Sequence, residues 1–194
     1  MANAVDPRVA RSRDRVLEVA QELLSRQGVG GFSVEEVSRR SGVAKTTVYR
    51  HWPSRESLIL DAASRISAAE TVPDSGSLWD DLTTFLTRLA HLLQTARWSS
   101  IVPSLVDQAE RDPEFAELHG GIQRGHADPL RELLTRAVNR GDLPASANVD
   151  HLVSALIGPL YYRRWFSREG VDEPFVAALV ESAIGRRPAD PSRR

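Results

Sequence analysis

The sequence predicts an all-α protein of about nine helices, in which a three-helix domain with a helix-turn-helix precedes a helical bundle. Apolar residues recur at helical spacing along most of the 194 residues. Glycines and prolines fall between these stretches, where helices end. The chain has no Asn-Gly or Asp-Gly hairpin turn and no sustained alternation of apolar and polar residues, so strands are not expected.

The first predicted helix covers about 8–27 and is stopped by Gly28. Its apolar positions repeat with the 3.6-residue period of an amphipathic helix, which gives it one face to bury. On that face lie Val16, Ala20, Leu23 and Leu24.

Two capping patterns define the helices that follow. Ser33 and Glu36 form a capping box, in which the hydroxyl accepts a backbone N–H and the carboxylate reaches back, so a second helix begins after Ser33. It ends at Gly42, and a third helix spans about 44–50. Ser54 is expected to cap a fourth helix that continues to about residue 70.

Helical periodicity resumes after a loop at 71–77 and continues to the end of the chain. Gly120-Gly121 is expected to separate two helices, and Gly141 to end the second of them. The predicted helices lie at about 78–96, 99–110, 113–119, 122–140, 148–167 and 172–186.

Residues 33–52, SVEEVSRRSGVAKTTVYRHW, carry the pattern of a helix-turn-helix. Gly42 can adopt the left-handed conformation that the tight turn needs, and valines on both sides can pack the two helices together. The exposed side of the second helix is polar enough to meet phosphates and base edges. It carries Lys45, Thr46, Thr47, Tyr49 and Arg50. No acidic residue lies between Ala44 and Arg55, where a carboxylate would repel a duplex.

The charge distribution agrees with DNA binding by the front of the chain. Residues 1–57 carry ten Lys or Arg against seven Asp or Glu. The remaining residues carry 15 against 19, and the whole chain has a net charge of −1. A basic front and an acidic remainder indicate that only the front meets a polyanion.

Residues 16–62, above all GVAKTTVYRHWPSRESLILDA, resemble the DNA-binding end of the TetR (tetracycline-repressor-like) family of bacterial regulators. The resemblance implies a helix-turn-helix DNA-binding domain, placed at 8–57, and a ligand-binding and dimerisation domain, placed at 58–186. Residues 1–7 and 187–194 are expected to be disordered.

The resemblance also implies roles for single residues of the helix-turn-helix. Bases in the major groove would be faced by Lys45, Thr46 and Tyr49. Phosphates would be held by Ser33, Thr47, His51 and Arg55. Arg50 occupies a variable position, so its role stays open. Trp52 stands where the family often has phenylalanine, and would pack the recognition helix on the first helix.

The last two predicted helices suit a symmetric dimer. The helix at 148–167 is apolar around most of its girth, and the last helix has a wide apolar stripe. The segment 158–185 resembles the end of a TetR subclass, which implies a four-helix bundle between two subunits. The candidate interface residues are Leu152, Leu156, Leu160, Phe175 and Leu179.

An effector cavity is expected among the helices between about residues 58 and 165. Its candidate walls are aromatic and apolar with few polar groups, which suits a small, mostly apolar ligand. Plain core packing is the alternative for each wall residue. The candidates are Phe85, Leu89, Trp98, Leu105, Phe115, His119, Ile122 and Tyr162.

The sequence therefore predicts a dimeric, ligand-responsive transcriptional regulator, in the first place a repressor that leaves a palindromic operator when effector binds. A constitutive DNA-binding protein without an effector is one alternative. A DNA-binding protein with a fused enzyme is the other, but the chain has no Ser-His-Asp pattern, glycine-rich phosphate loop or HExxH motif.

Metal sites, cofactors and membrane segments are not expected. The chain has no cysteine, and Gly120-Gly121 interrupts the one histidine pair at helical spacing, His119 and His126. No apolar stretch approaches the ~18 residues of a membrane span, and the start of the chain does not read as a signal peptide. We therefore expect a cytoplasmic protein.

Overall fold

The computed structural model of the protein describes residues 7–64 and 72–185, apart from the side chains of Pro7, Arg8, Ser64, Arg97, Trp98 and Ile122. This part of the chain forms α-helices and no strand, which confirms the predicted fold class. The expected disorder of 1–7 and 187–194 concerns residues outside the described part, except Pro7, the first residue of α1.

The described residues form nine α-helices, as predicted. These are α1 Pro7–Gln27, α2 Val34–Ser41, α3 Lys45–His51, α4 Arg55–Ser64, α5 Leu78–Thr95, α6 Val102–Arg111, α7 Pro113–Arg140, α8 Val149–Tyr161 and α9 Glu173–Ile184. A short 3-10 helix at Arg97–Ser100 precedes α6, and a π-helical turn at Tyr162–Ser167 follows α8.

The caps predicted from the sequence place both ends of α2 correctly. The Ser33 hydroxyl accepts the backbone N–H of Glu36 at 3.3 Å at the start of α2. Gly42 adopts φ 70° after its end, the left-handed conformation expected of it. The other half of the capping box differs, because the Glu36 carboxylate accepts two hydrogen bonds from Arg39, at 2.6 and 2.9 Å.

The predicted break at Gly120-Gly121 is wrong, because α7 runs without interruption from Pro113 to Arg140. A glycine inside a helix costs only about 1 kcal/mol relative to alanine. Phe115 and Leu130, one on each side of the glycines, are fully buried, so packing holds both halves in helical conformation. The predicted end at Gly141 is confirmed by its φ of 83°.

Two other predicted helices divide in the structure. The helix predicted at 99–110 consists of the 3-10 helix at Arg97–Ser100 followed by α6. The helix predicted at 148–167 is α helical only as far as Tyr161, and continues as the π-helical turn. Pro159, which has no backbone N–H to donate, lies in the last turn before this change.

The chain folds as two compact units. The described part of the first unit comprises 7–64 and 96–124. In it α1 packs against α2, α4 and the 3-10 helix, and α2 packs against α3. The predicted domain boundary at residue 57 stays a prediction. The core of this unit includes Leu17, Leu23, Val37, Val48, Trp52, Leu58, Ile101, Leu105 and Phe115.

The described part of the second unit comprises 72–95 and 125–185. Here α5 packs against α8 and α9, which also pack against each other. The loop before α5 is fixed by Arg136, which donates to the Pro73 carbonyl at 2.6 Å, and by Ser75, whose hydroxyl donates to Asp81 at 2.7 Å. Buried residues of this unit include Leu82, Leu86, Leu133, Leu134, Val153, Leu156, Leu160 and Val180.

Candidate nucleic-acid interface

The turn between α2 and α3 is held by a hydrogen bond across it. The Ser38 hydroxyl donates to the backbone carbonyl of Val43 at 2.7 Å. Val37 and Val48, one from each helix, are buried in the shared core, as expected from the valine pattern. The two helices therefore meet at a fixed crossing, and the other side of α3 faces away from the core.

Trp52 anchors the end of α3. Its indole is buried to 3% exposure, and Nε1 donates to Asp61 Oδ2 at 2.7 Å. The same carboxylate oxygen accepts from Arg13 Nη2 at 2.7 Å, and the Arg13 guanidinium lies 5.8 Å from the centre of the Trp52 ring. One aspartate on α4 thus connects α1 to the end of α3, which confirms that Trp52 packs α3 against the first helix.

The polar side of α3 is accessible. Lys45, Thr46 and Arg50 are exposed, and the Tyr49 ring is 38% exposed. Thr47 and His51 are half-buried at the edges of this face. Among the residues that the structure describes, Thr46 and Arg50 make no side-chain hydrogen bond or ion pair. The structure thus brings the predicted residues of α3 together on one exposed face.

Glu35 places a carboxylate on this face, which the sequence analysis did not anticipate. Its Oε1 forms an ion pair with the ammonium group of Lys45, and its Oε2 accepts from the Ser33 hydroxyl at 3.1 Å. The stretch without acidic residues extends only from Ala44 to Arg55, whereas the helix crossing brings the start of α2 beside the start of α3. The spacing of a helix-turn-helix is the signal that could have revealed this contact.

The electrostatic consequence is a strongly acidic carboxyl group. Hydrogen bonding from Lys45 is the main cause that lowers the pKa of Glu35 from 4.5 to about 2, with smaller contributions from its own backbone and from Ser33. The same contact raises the pKa of Lys45. Both groups therefore stay ionised at neutral pH.

Arg55 is engaged within the first unit. Its Nε donates to the Phe32 carbonyl at 3.1 Å, and its Nη2 donates to the carbonyl of Val29. The guanidinium carbon lies 5.9 Å from the centre of the Phe32 ring, and Nη1 contacts Glu56 at 3.4 Å. Arg55 thus fixes the loop between α1 and α2. Its predicted contact with phosphate stays a prediction.

Two further contacts reduce the free positive charge near α3. Arg39 is paired with Glu36, and Arg40 donates to Glu22 at 2.6 Å.

The start of α4 is capped internally, because Ser54 and Ser57 exchange hydroxyl and backbone hydrogen bonds at 3.0 and 3.1 Å. Their N–H groups are satisfied without an external anion.

The candidate dimer residues of α8 and α9 do not share one environment. Leu156 and Leu160 are fully buried within a single chain, so they can add no area to an interface. Leu152, Phe175 and Leu179 are only half-buried.

The outward side of the same region carries a stripe of apolar residues, which we call the α8 stripe: Ala155, Pro159, Tyr162 and Phe166. Tyr162 is 59% exposed and Phe166 is 76% exposed. Their rings stack at 5.9 Å with an interplanar angle of 12°. The spacing of four, three and four residues puts the stripe on one side. It is the accessible apolar surface that the sequence analysis did not identify.

The candidate effector residues are divided between the two units. Leu105 and Phe115 belong to the core of the first unit, and His119 stacks on Phe115 at 6.3 Å. Phe85 is buried and Leu89 half-buried in the second unit. Tyr162 belongs to the α8 stripe. The side chains of Trp98 and Ile122 lie outside the described part. A common pocket stays a prediction.

A cleft of about 380 Å³ lies in the second unit, between the end of α5, the π-helical turn and residues 168–171. Its lining includes three arginines and one glutamate, so it differs in chemistry from the apolar cavity that was predicted. The charged or polar lining residues are Gln94, Arg163, Arg164, Arg168 and Glu169.

Metal sites and membrane-spanning helices are absent from the described residues. No group of three or more His, Cys, Asp or Glu in this part of the chain is arranged to hold a metal ion. No helix there is sufficiently long and apolar to cross a membrane.

Two family models match consecutive parts of the chain. Residues 16–63 match the model described as bacterial regulatory proteins of the tetR family. Residues 72–183 match the tetracyclin repressor-like C-terminal domain. The first match contains the helix-turn-helix with its Trp52 anchor, and the second contains the α8 stripe.

The chain is also similar to individual regulators. It is 30% identical over 186 residues to the DNA-binding transcriptional repressor TetR of Mycobacteroides abscessus, a match that covers 91% of this chain and 95% of the relative. It is 32% identical to the crystal structure of the TetR-family regulator SCO0332, with a TM-score of 0.72, over 92% of this chain and 100% of that one.

A third similarity shows the fold alone. The flavonoid-responsive regulator FrrA is 20% identical, with a TM-score of 0.69 over 90% of this chain and 93% of FrrA. Together with the exposed polar face of α3 on its fixed support, these matches show that the chain belongs to the TetR family and is a DNA-binding transcriptional regulator rather than an enzyme.

Proposed function

We propose that the protein is a dimeric repressor that binds a palindromic operator through α3 and leaves it when a small effector binds. The observation that carries the proposal is the arrangement of α3. Its buried side is fixed through Val48 and Trp52, while its other side presents exposed polar groups. A rigid polar helix of this kind is what the major groove accepts.

Particular side chains on α3 suit base recognition. Lys45 can donate to guanine O6 and N7, and Thr46 and Tyr49 can contact thymine methyl groups or accept and donate hydrogen bonds. Arg50 is exposed without a described partner, so it is free to hold a phosphate or a base. We assign phosphate contacts to Ser33, Thr47 and His51 and a positioning role to Arg55, whose guanidinium already binds two backbone carbonyls.

Dimerisation is proposed through the outer sides of α8 and α9. The α8 stripe and the half-buried residues Leu152 and Leu179 supply apolar surface for a second copy. A two-fold axis would place the same surface on both subunits. Two copies of α3 would then read two half-sites, and the operator would repeat the symmetry of the protein on cytoplasmic chromosomal DNA.

Release by a small molecule is proposed for the helical C-terminal part. The fold is shared with FrrA, a regulator described as responsive to flavonoids. A mostly apolar effector suits the predicted cavity. In the observed cleft, Arg163 and Arg164 already donate to the carbonyls of Gly170 and Leu93, so Arg168 is the arginine that can hold an acidic group on such a molecule. An effector can act only if it binds the DNA-competent and released arrangements with different affinity.

The test begins with operator selection. Purified protein is used to enrich duplexes from a random-sequence library, and a palindrome with half-sites about one helical turn apart or more is expected. Affinity for the selected duplex is then compared for the wild type, Tyr49→Ala and Tyr49→Phe by fluorescence anisotropy. Tyr49→Ala should weaken binding by about 10- to 100-fold, as expected for loss of one base-reading side chain.

Tyr49→Phe is the matched control, since it keeps the ring and removes only the hydroxyl. It should lie between the wild type and Tyr49→Ala. Failure to enrich any sequence, or full affinity in Tyr49→Ala, would contradict DNA reading by α3.

The effector part is tested separately. Small molecules that raise the melting temperature of the protein are added to the operator complex. Loss of operator affinity supports release, whereas unchanged affinity with a bound molecule would favour the constitutive alternative.

A further inference from the structure

We propose that Glu35 limits the strength of DNA binding: in the free protein its carboxylate holds both Lys45 and Ser33, so that DNA must displace an internal anion before these two residues can bind it. The proposal rests on the DNA contacts proposed above for α3 and the start of α2. Nothing in the sequence pattern assigned a role to Glu35.

The Glu35 carboxylate is shared between a residue of α3 and the residue that caps α2. Oε1 is paired with the Lys45 ammonium group on α3, and Oε2 accepts from the hydroxyl of Ser33, the residue that caps α2. One of these partners is a proposed base contact and the other a proposed phosphate contact. A single side chain therefore occupies both.

The ion pair of Glu35 and Lys45 contributes little to the stability of the fold. Glu35 is 65% exposed and Lys45 is 48% exposed. Ion pairs between such exposed groups contribute almost nothing to stability. Its neighbour Glu36 has a different partner, Arg39, and does not contact Lys45. The arrangement is thus better explained by an effect on what binds to α3.

The displaced anion weakens both specific and non-specific complexes. At the operator, Lys45 must leave Glu35 to reach a base edge, so operator binding bears the whole cost of breaking the pair. On random DNA, Lys45 can stay with Glu35 or exchange it for a phosphate, so the cost there is the same or smaller. A duplex backbone near Glu35 is repelled in both complexes.

The low pKa of Glu35 supports this mechanism. With a pKa of about 2, the carboxylate remains charged throughout the range in which the protein meets DNA. The competition is therefore a constant property of the surface rather than a pH switch.

The test compares Glu35→Gln with Glu36→Gln. Both variants remove one negative charge from the first turn of α2, but only the first removes the partner of Lys45. Affinity for a random-sequence duplex and for the selected operator is measured by anisotropy over a series of NaCl concentrations. The Glu35→Gln variant should bind the random duplex up to about 5-fold more tightly at low salt, with a salt slope steeper by about 0.9, the value for one additional phosphate contact.

Operator affinity should rise in Glu35→Gln by about 3- to 5-fold, at least as much as random-duplex affinity, because operator binding breaks the pair completely. Glu36→Gln should change both affinities by about twofold or less, because general charge effects of one exposed residue are small. If the two variants have equal effects, the change in affinity follows from net charge alone and the proposal is overturned.

A double-mutant cycle with Lys45→Ala tests whether Glu35 acts through Lys45. If Glu35 acts mainly through Lys45, adding Glu35→Gln to Lys45→Ala should tighten random-duplex binding by about twofold or less, which is what the release of Ser33 and the loss of one charge can supply. A tightening as large as in the wild-type background would overturn the proposal. If the wild type binds the operator and loses affinity in Lys45→Ala, but Glu35→Gln has no effect, this proposal alone is overturned. If the wild type binds no operator at all, the proposed function is overturned with it.

Discussion

The indole of Trp52 donates to the same carboxylate oxygen of Asp61 that accepts from Arg13, and both distances are 2.7 Å. Trp52 ends α3, Asp61 lies on α4 and Arg13 on α1. The end of the recognition helix is therefore connected to α1 and α4 by hydrogen bonds as well as by packing, and the buried indole N–H has an acceptor.

Asp61→Ala should lower the free energy of unfolding by about 1–3 kcal/mol, because it leaves the buried indole N–H without an acceptor. The measurement is urea denaturation followed by tryptophan fluorescence. Arg13→Ala serves as control, since it removes only the more exposed donor and should cost about 1 kcal/mol or less. Equal losses in the two variants would mean that the indole hydrogen bond contributes nothing of its own.

Arg55→Lys separates the two roles considered for this side chain. Lysine keeps the charge for a phosphate but cannot donate from a planar fork to the carbonyls of Val29 and Phe32. We expect a loss of about 1–2 kcal/mol in unfolding free energy, measured by the same denaturation. Unchanged stability would mean that the two carbonyl contacts contribute nothing; DNA affinity that is kept in Arg55→Lys but lost in Arg55→Ala would then identify Arg55 as a phosphate contact.

If the chain dimerises through the α8 stripe as proposed, Tyr162→Asp with Phe166→Asp should convert the dimer to a monomer without unfolding it. Both rings are exposed in the single chain, so the charges meet water in the monomer but would be desolvated in an interface. Sedimentation equilibrium measures the association state, and circular dichroism measures helix content. Val106→Asp, on exposed surface of the first unit, is the control. A dimer that persists in the double variant excludes the α8 stripe from the interface.

The titration of Glu35 can be followed directly by NMR of its carboxyl carbon. Its midpoint should lie at about 2, against an ordinary value of 4.5. Because the folded pKa is depressed, the contribution of the pair is fully present above pH 4.5 and is lost as the pH falls toward 2. In Lys45→Ala the midpoint should move up toward 4.5. An unshifted midpoint near 4.5 in the wild type would mean that the pair with Lys45 does not form in solution.

The boundaries of the first three helices could be predicted from the sequence because their signals are local. A capping hydroxyl at Ser33 and a left-handed glycine at Gly42 act within a few residues of the helix ends they define. The anchoring role of Trp52 followed from the family pattern. These features need no knowledge of the tertiary arrangement.

The contacts of Glu35 and Arg55 could not be predicted in the same way. Glu35 meets Lys45 ten positions away, and Arg55 reaches a carbonyl 26 positions away. Such contacts depend on the helix crossing and on the choice of rotamer. Sequence periodicity carries no information about the helix crossing or the rotamers.

The predictions for the later helices failed where tertiary packing overrides local preference. Glycine at 120 and 121 lowers helix propensity, but buried side chains on both sides keep α7 continuous. Leu156 and Leu160 were chosen for the interface from apolarity alone. Periodicity shows that a side chain is buried, but does not show whether its own chain or another copy buries it.

The fully buried Leu156 and Leu160 have a consequence for how such regulators diversify. They complete the interior of their own subunit, while the outer positions Ala155, Pro159 and Tyr162 are not needed for that purpose. Substitutions can therefore accumulate on the outside of α8 without loss of the subunit fold. If the outside of α8 forms the proposed dimer interface, related regulators in one cell can drift apart there until mixed pairs no longer form, each keeping its own set of genes.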